Sequence, residues 1–252
     1  MTARLAKIVS SLAAVALTTA CGGYSEISIE TPIRPTMDVS AFQRVFVAGF
    51  ISGGSEDVDG NLETTRLLRS QLRTKSALRV IDADSLPLQD VAGEGRAPNG
   101  PEASAAPPVI REDEDLEPYE HLFADVEYWK RIGEEYQQPL IVTGTVLFTP
   151  HQRNSIVQRE EEVYDSFGRR RVIPVRTYLE RKGFVLSPKF IFIDGRTGTV
   201  MHSTTAREEI LYNANQATPA LSSYFELMDR VIPSFLSTLS SQKIKGTRIL
   251  LQ

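Results

Sequence analysis

The chain has 252 residues, 41% of them hydrophobic and 24% charged, with a formal net charge of −4. That is enough apolar material for one buried core or two small ones, and the acidic balance excludes a general nucleic-acid binder. With one cysteine in the chain, an intramolecular disulfide and a cysteine-based metal site are excluded as well.

Residues 2–7 carry Arg4 and Lys7 and no acid, and Ile8 to Ala20 form an apolar run rich in Ala, Val and Leu. A positive start, an apolar stretch of about thirteen residues and small residues at its end describe a secretory signal peptide. The run is shorter than the ~20 residues a spanning helix needs. It ends Leu17-Thr18-Thr19-Ala20-Cys21-Gly22, which resembles the lipobox of bacterial lipoproteins, with Leu17 one place earlier than the usual Leu. The resemblance implies that residues 1–20 are cleaved and that Cys21 becomes an acylated first residue, carrying a diacylglycerol and a fatty acid such as palmitate. Two other readings are an ordinary secretory signal with an incidental Cys and an uncleaved anchor. Losing Arg4 and Lys7 takes the formal net charge from −4 to −6. Gly22, rather than Asp, after the Cys resembles the signal for export to the outer membrane, with the domain facing the periplasm.

Residues 21–40, rich in Gly, Ser, Thr, Pro and acids, read as a flexible tether, followed by a single domain over 41–252. Arg44 to Phe50 is a strand apolar enough to be buried on both faces. A loop from Gly53 to Gly60 follows as a flexible surface turn, and Asn61 is placed to cap a helix carrying Thr65, Leu68 and Leu72 on one face. Leu78 to Ile81 is a short strand. Residues 92–108, dominated by Ala, Gly and Pro, read as a disordered insertion that limited proteolysis should cut first. Glu112 to Asp115 reads as solvated. A second helix is expected over 120–136, with Val126, Trp129, Ile132, Gly133 and Tyr136 on one face and Gly133 allowing close approach to a sheet.

Leu140 to Phe148 is the strongest strand. Beyond it the pattern is mostly strand. Residues 154–165 and 169–181 flank an Asp165–Gly168 turn, and 183–193 and 198–212 flank an Asp194–Gly198 turn. Thr218-Pro219 is a helix start, and Leu221, Phe225, Met228, Ile232, Phe235 and Leu239 form an apolar stripe with Pro233 as an expected kink. Residues 244–251 add a last strand. The expected fold is α/β (α+β): one mixed sheet of about six to eight strands with helices packed on it.

Two stretches carry a wider resemblance. One runs from the Val45 strand through Leu78-Arg79-Val80-Ile81-Asp82 to Ile132-Gly133 and Ile141-Val142-Thr143-Gly144-Thr145-Val146. The other is Phe190-Ile191-Phe192-Ile193-Asp194-Gly195-Arg196-Thr197-Gly198-Thr199-Val200. Together they resemble the α/β domain shared by curli-secretion lipoproteins, lipoprotein activators of penicillin-binding proteins and the amino-terminal domain of TolB. The resemblance implies an oligomeric or adaptor role in the bacterial envelope without catalysis. The 92–108 insertion departs from that pattern.

No catalytic, cofactor or metal site is assigned. Gly49 to Gly60 holds neither a dinucleotide nor a P-loop motif. Asp57, Asp59, Asn61 and Glu63 have calcium-like spacing without the rest of a twelve-residue loop, so an acidic loop with a helix cap is the better account. His121, His151 and His202 are too far apart in sequence for a local zinc motif, and Glu134-Glu135 diverge on a helix. No Gly-x-Ser-x-Gly elbow supports a hydrolase. Arg169, Arg170 and Arg171 are the partner-binding candidates, for lipid headgroups or an acidic cell-wall polymer. Closing the turn also brings Glu160, Glu161 and Glu162 within reach of them. The reading is a non-catalytic, lipid-anchored adaptor, held to the membrane through Cys21 and binding envelope proteins or a cell-wall polymer, with homo-oligomers allowed. A subunit of an oligomeric outer-membrane secretion channel comes second and an envelope hydrolase third.

Overall fold

The computed structural model describes residues 24–94, 110–164, 166–213, 215–216 and 219–251. The signal segment, Cys21, most of the expected insertion, Asp165 and Thr218 lie outside the described residues. The chain divides into two compact units, one of them Thr36–Ser240 and the other built from the flanking segments.

In the flanking unit, β1 (Tyr24–Ile33) pairs antiparallel with β8 (Gln242–Leu251), from Tyr24 opposite Leu251 to Ile33 opposite Gln242. This corrects the tether reading for those residues and removes the last strand from the main sheet. Ile27-Ser28-Ile29-Glu30 has a two-residue period, but a single polar run becomes a strand only when a second one, here from the other end of the chain, supplies its hydrogen bonds.

The main unit is the mixed sheet expected, with six strands. The elements are β2 (Arg44–Gly54), α1 (Gly60–Lys75), β3 (Arg79–Val80), α2 (Leu88–Glu94), a 3-10 helix (Asp113–Tyr119) and α3 (Glu120–Ala124). They continue with α4 (Val126–Glu135), β4 (Leu140–Tyr164), β5 (Arg170–Asp194), β6 (Val200–Thr205), β7 (Glu208–Asn213) and α5 (Ala220–Leu239). The strand order is β3-β2-β4-β5-β6, with β7 also on β5. β2 is parallel to β3 and β4, and the remaining pairs are antiparallel. Helices cover both faces, which is why β2 is apolar without alternation. Val47, Phe50, Phe148 and Phe190 pack with Leu68, Tyr224 and Phe235 on one side. Phe46, Ile51, Ile141 and Ile191 pack with Leu122, Trp129 and Ile132 on the other.

Several local expectations are corrected. Asp59, not Asn61, caps α1, accepting from Leu62 N at 2.9 Å. Asn61 instead accepts from Phe50 N at 2.8 Å, beside the register shift at Gly49, whose φ is +121°. Gly53 and Gly54 end β2 rather than forming a loose turn, and the Gly54 N–H donates to Ile110 O at 2.8 Å. Residues 92–94, expected in the insertion, end α2. The helix expected over 120–136 breaks at Asp125, which is extended and caps α4 through Tyr128 N at 3.0 Å. The stretch over 198–212 is two strands, β6 and β7.

The α5 stripe is rotated from the expected one. Tyr224, Leu227 and Val231 are buried with Met228, Ile232, Phe235 and Leu239, while Leu221 is 45% exposed and Phe225 half-buried. Pro219 sits at the cap position instead of the first helical turn, and α5 is one continuous helix through the exposed Pro233. Tyr224 shows why the stripe turns. Its hydroxyl pairs with Thr64 Oγ1 and lies 3.2 Å from Gly60 O, so a buried tyrosine has its polar end satisfied on α1. Burial pushes its pKa up, with the Thr64 hydrogen bond acting the other way.

Candidate functional site

The largest departure from a compact α/β unit is the β4–β5 hairpin. Two strands expected on either side of Pro150 are one, and so are two expected on either side of Lys182, so each hairpin strand has 25 residues. β4 pairs with β2 only as far as Phe148, and β5 pairs with β7 only as far as Arg181. Residues 151–164 and 170–180 therefore form a two-stranded arm with no further strand on either outer edge among the described residues, on the order of 45 Å long at ~3.3 Å per residue. Nearly all of it is exposed on both faces.

Register sets what each face of the arm carries. Directly opposed residues share a face, so one face presents Ile156 with Tyr178, Glu162 with Val172 and Tyr164 with Arg170. The other presents Val157 with Thr177, Arg159 with Val175, Glu161 with Ile173 and Val163 with Arg171. Large apolar groups stand in solvent throughout: Ile156 is 72% exposed, Tyr178 61% and Phe167, at the turn, 81%. Contiguous exposed apolar patches mark interaction sites whereas single ones are ordinary, and here apolar groups recur along both faces of the arm.

The three candidate arginines sit at the free end of this arm. Arg170 pairs with Glu162 at 2.8 Å, one of the cross-strand ion pairs the turn was expected to create. Arg169 stacks over Phe167, 5.4 Å from the ring centre. Gly168 has a φ of +74°, the left-handed conformation that the turn requires.

The other candidates are dispersed. His121 Nδ1 is 2.7 Å from Pro118 O, His151 Nε2 is 3.4 Å from Glu209 Oε1 at the root of the arm, and His202 lies beside the Phe192 ring. Glu134 and Glu135 are exposed on α4. Ser55 holds Asp57 at 3.2 Å and Asp59 is spent on the helix cap, so two of the calcium-spaced residues have local structural partners. Among the described residues no three His, Cys, Asp or Glu side chains gather as a metal site, and no helix is long and apolar enough to cross a membrane.

The sequence pattern ends one strand at Phe148 and starts the next at Asn154, and separates 169–181 from 183–193 at Lys182, so the continuous arm is not legible in it. In the structure Pro150 is opposite Phe184 and Gly183 is opposite His151, inside the ladder. A Cβ on Gly183 would lie 1.8 Å from Ile210 O, so this glycine admits the β7 backbone rather than ending β5.

No protein-family model and no curated protein matches the chain. Among solved structures it is similar to lipoprotein GNA1162 from Neisseria meningitidis, at 12% identity and a TM-score of 0.34 over 76% of this chain and 96% of that one. It is similar as well to a putative neuraminyllactose-binding hemagglutinin homolog from Helicobacter pylori, at 10% identity and a TM-score of 0.34 over 82% of this chain and 88% of that one. A third similar structure is a PDZ domain protein from Parabacteroides distasonis, at 11% identity and a TM-score of 0.25, of which the match spans 39%. Likenesses this distant do not transfer a function.

Proposed function

We propose that this chain is a lipid-anchored, non-catalytic binding protein of the bacterial envelope that engages other envelope components through the β4–β5 arm. The arm is the observation that carries the reading. A two-stranded ribbon is at best marginally stable on its own in water, and open edges with exposed apolar groups gain most from a partner. Rooting the arm in the six-stranded sheet holds it out without a partner present, and the Arg170–Glu162 pair keeps its end in register.

The reading has two tests. Replacing residues 152–182 by a short turn should leave a folded sheet and remove the proteins recovered after crosslinking in membranes. Unchanged recovery with the shortened chain rejects the arm as the binding element. Anchoring is tested separately by feeding cells an alkyne fatty acid: the parent chain should be labelled and Cys21→Ala should not. Equal labelling of the two would reject acylation at this residue.

A channel subunit is the second reading, favoured by the same arm, since a barrel strand needs only ~9–11 residues to cross a bilayer. Charge distribution opposes it. Arg159, Glu160, Glu161 and Glu162 occupy both faces of β4, and basic groups at mid-bilayer cost up to ~2–4 kcal/mol each. Purified protein should therefore give no discrete conductance in planar bilayers. Reproducible steps that vanish with residues 152–182 would favour the channel.

A further inference from the structure

A pocket of about 390 Å³ lies on the opposite sheet face from α5, away from the free end of the arm. Its floor is a cross-strand row in which Thr145 of β4 pairs with Lys189 of β5, and Lys189 with Thr205 of β6. Its wall is the 3-10 helix and the start of α3, which contribute Asp113, Leu116, Glu117 and Glu120. Arg207, between β6 and β7, stands at the rim. Two contacts hold floor and wall in place: Lys189 Nζ pairs with Glu120 Oε1 at 2.5 Å, and Ala206 N donates to Pro188 O at 3.0 Å.

The polar groups left over define what fits. Asp115 is occupied, accepting from the backbone of Arg111 and Glu112 at 2.8 and 3.1 Å. Asp113, Glu117 and Arg207 make no ion pair among the described residues. Thr145 is only 5% exposed, lines the pocket, and its hydroxyl has no hydrogen-bond partner among the described residues. The hydroxyl opens onto the cavity and is available to hydrogen-bond a ligand there. The pocket thus offers free carboxylates on one wall, a free guanidinium at the rim, and a hydroxyl below, with Leu116, Pro188 and Ala206 as the apolar lining.

We infer that this pocket binds a short peptide with small side chains through both of its ends, the free amine against Asp113 and Glu117 and the free carboxylate against Arg207. Guanidinium binds carboxylate with paired hydrogen bonds, which makes the carboxyl end the more specific half of the match. The pocket lies within the ~300–1,000 Å³ range typical of small-ligand sites. A purely cationic ligand would leave Arg207 unused, and a purely anionic one would face two unpaired carboxylates.

Calorimetric titration of the full-length protein with the dipeptide alanyl-alanine, its N-acetyl form and its C-terminal amide tests this. Free dipeptide should bind saturably, and either cap should weaken binding at least tenfold. Arg207→Ala should weaken the free dipeptide about tenfold and leave the amide unchanged, whereas Glu117→Gln should act on the amide and the free form alike. Both positions are exposed, and unchanged melting of each variant separates lost binding from lost fold. Absence of saturable heat at millimolar dipeptide overturns the inference. Equal binding of the amide overturns it too, in favour of a plain cation site, as does insensitivity to Arg207→Ala.

Discussion

Replacing Phe235 by Ala is expected to destabilise the main unit by about 3–5 kcal/mol, the range for truncating a fully buried phenylalanine. Its ring is fully inaccessible and sits between two sheet aromatics, with centroids 4.9 Å from Phe190 and 5.7 Å from Phe192. Both partners belong to β5, so they cannot collapse into the cavity without moving the strand that also pairs with β4, β6 and β7. Phe225→Ala on the same helix is the internal control. Phe225 is half-buried and makes an edge contact with Tyr224 at 6.3 Å, so its loss should cost clearly less. Urea unfolding of the two variants measures the difference, and equal midpoints would place the α5 face wrongly.

Gly133→Ala is the second large effect, and its sign runs against helix propensity. In an exposed helix interior the change would stabilise by about 1 kcal/mol. Here a Cβ on Gly133 would stand 1.8 Å from Gly195 O, and a Cβ on Gly195 would stand 2.3 Å from Pro139 O. Both obstacles are backbone, and both are held. Gly195 N donates to Pro139 O at 3.0 Å, and Gly198 N to Asp194 O at 2.7 Å. The Asp194 carboxylate is braced by Arg196, at 2.8 Å from the guanidinium and 2.8 Å from the Arg196 N–H. Burial disfavours ionising Asp194, but those Arg196 contacts prevail and keep its pKa below the ordinary carboxylate value. The turn therefore cannot yield cheaply. Overpacking of this kind costs ~1–3 kcal/mol or more, so a destabilised variant is expected in thermal or urea unfolding. A neutral or stabilised Gly133→Ala would remove the close approach from the account of the fold.

These two positions differ in how they could be read. Gly133 was legible because a glycine on the apolar face of a helix has few reasons to be there other than close packing. Phe235 was legible as a stripe member, but the stripe as a whole was set a fraction of a turn wrong. Leu221 and Phe225 look apolar enough to face inward, yet the Tyr224 hydroxyl has partners on α1 in Thr64 and Gly60, and that contact turns the helix. A sequence pattern weighs hydrophobicity and cannot see a hydrogen-bond partner on another element. The same blindness moved the α1 cap to Asp59 and gave Asn61 the bulge in β2.

The candidate sites divide along the same line. Arg169, Arg170 and Arg171 and their turn were legible because the residues are contiguous, and Arg170–Glu162 follows from the turn alone. The pocket was not legible. Its floor comes from three strands, its wall from the 113–120 segment and its rim from the β6–β7 join, and no spacing in the chain connects them.

By itself the sequence determined what depends on neighbouring residues: the signal-like run ending at Cys21, the buried character of the strands at Val45 and Ile141, the glycine turns at Gly168 and Gly198, and hence a mixed α/β class. Only the tertiary structure decided which strands run on through Pro150 and Gly183, that the segment after Gly23 pairs with the segment before Gln252, and where α5 presents its core face. Local periodicity and turn chemistry act over a few residues, whereas pairing and register are chosen by contacts between segments that meet only once the chain has folded.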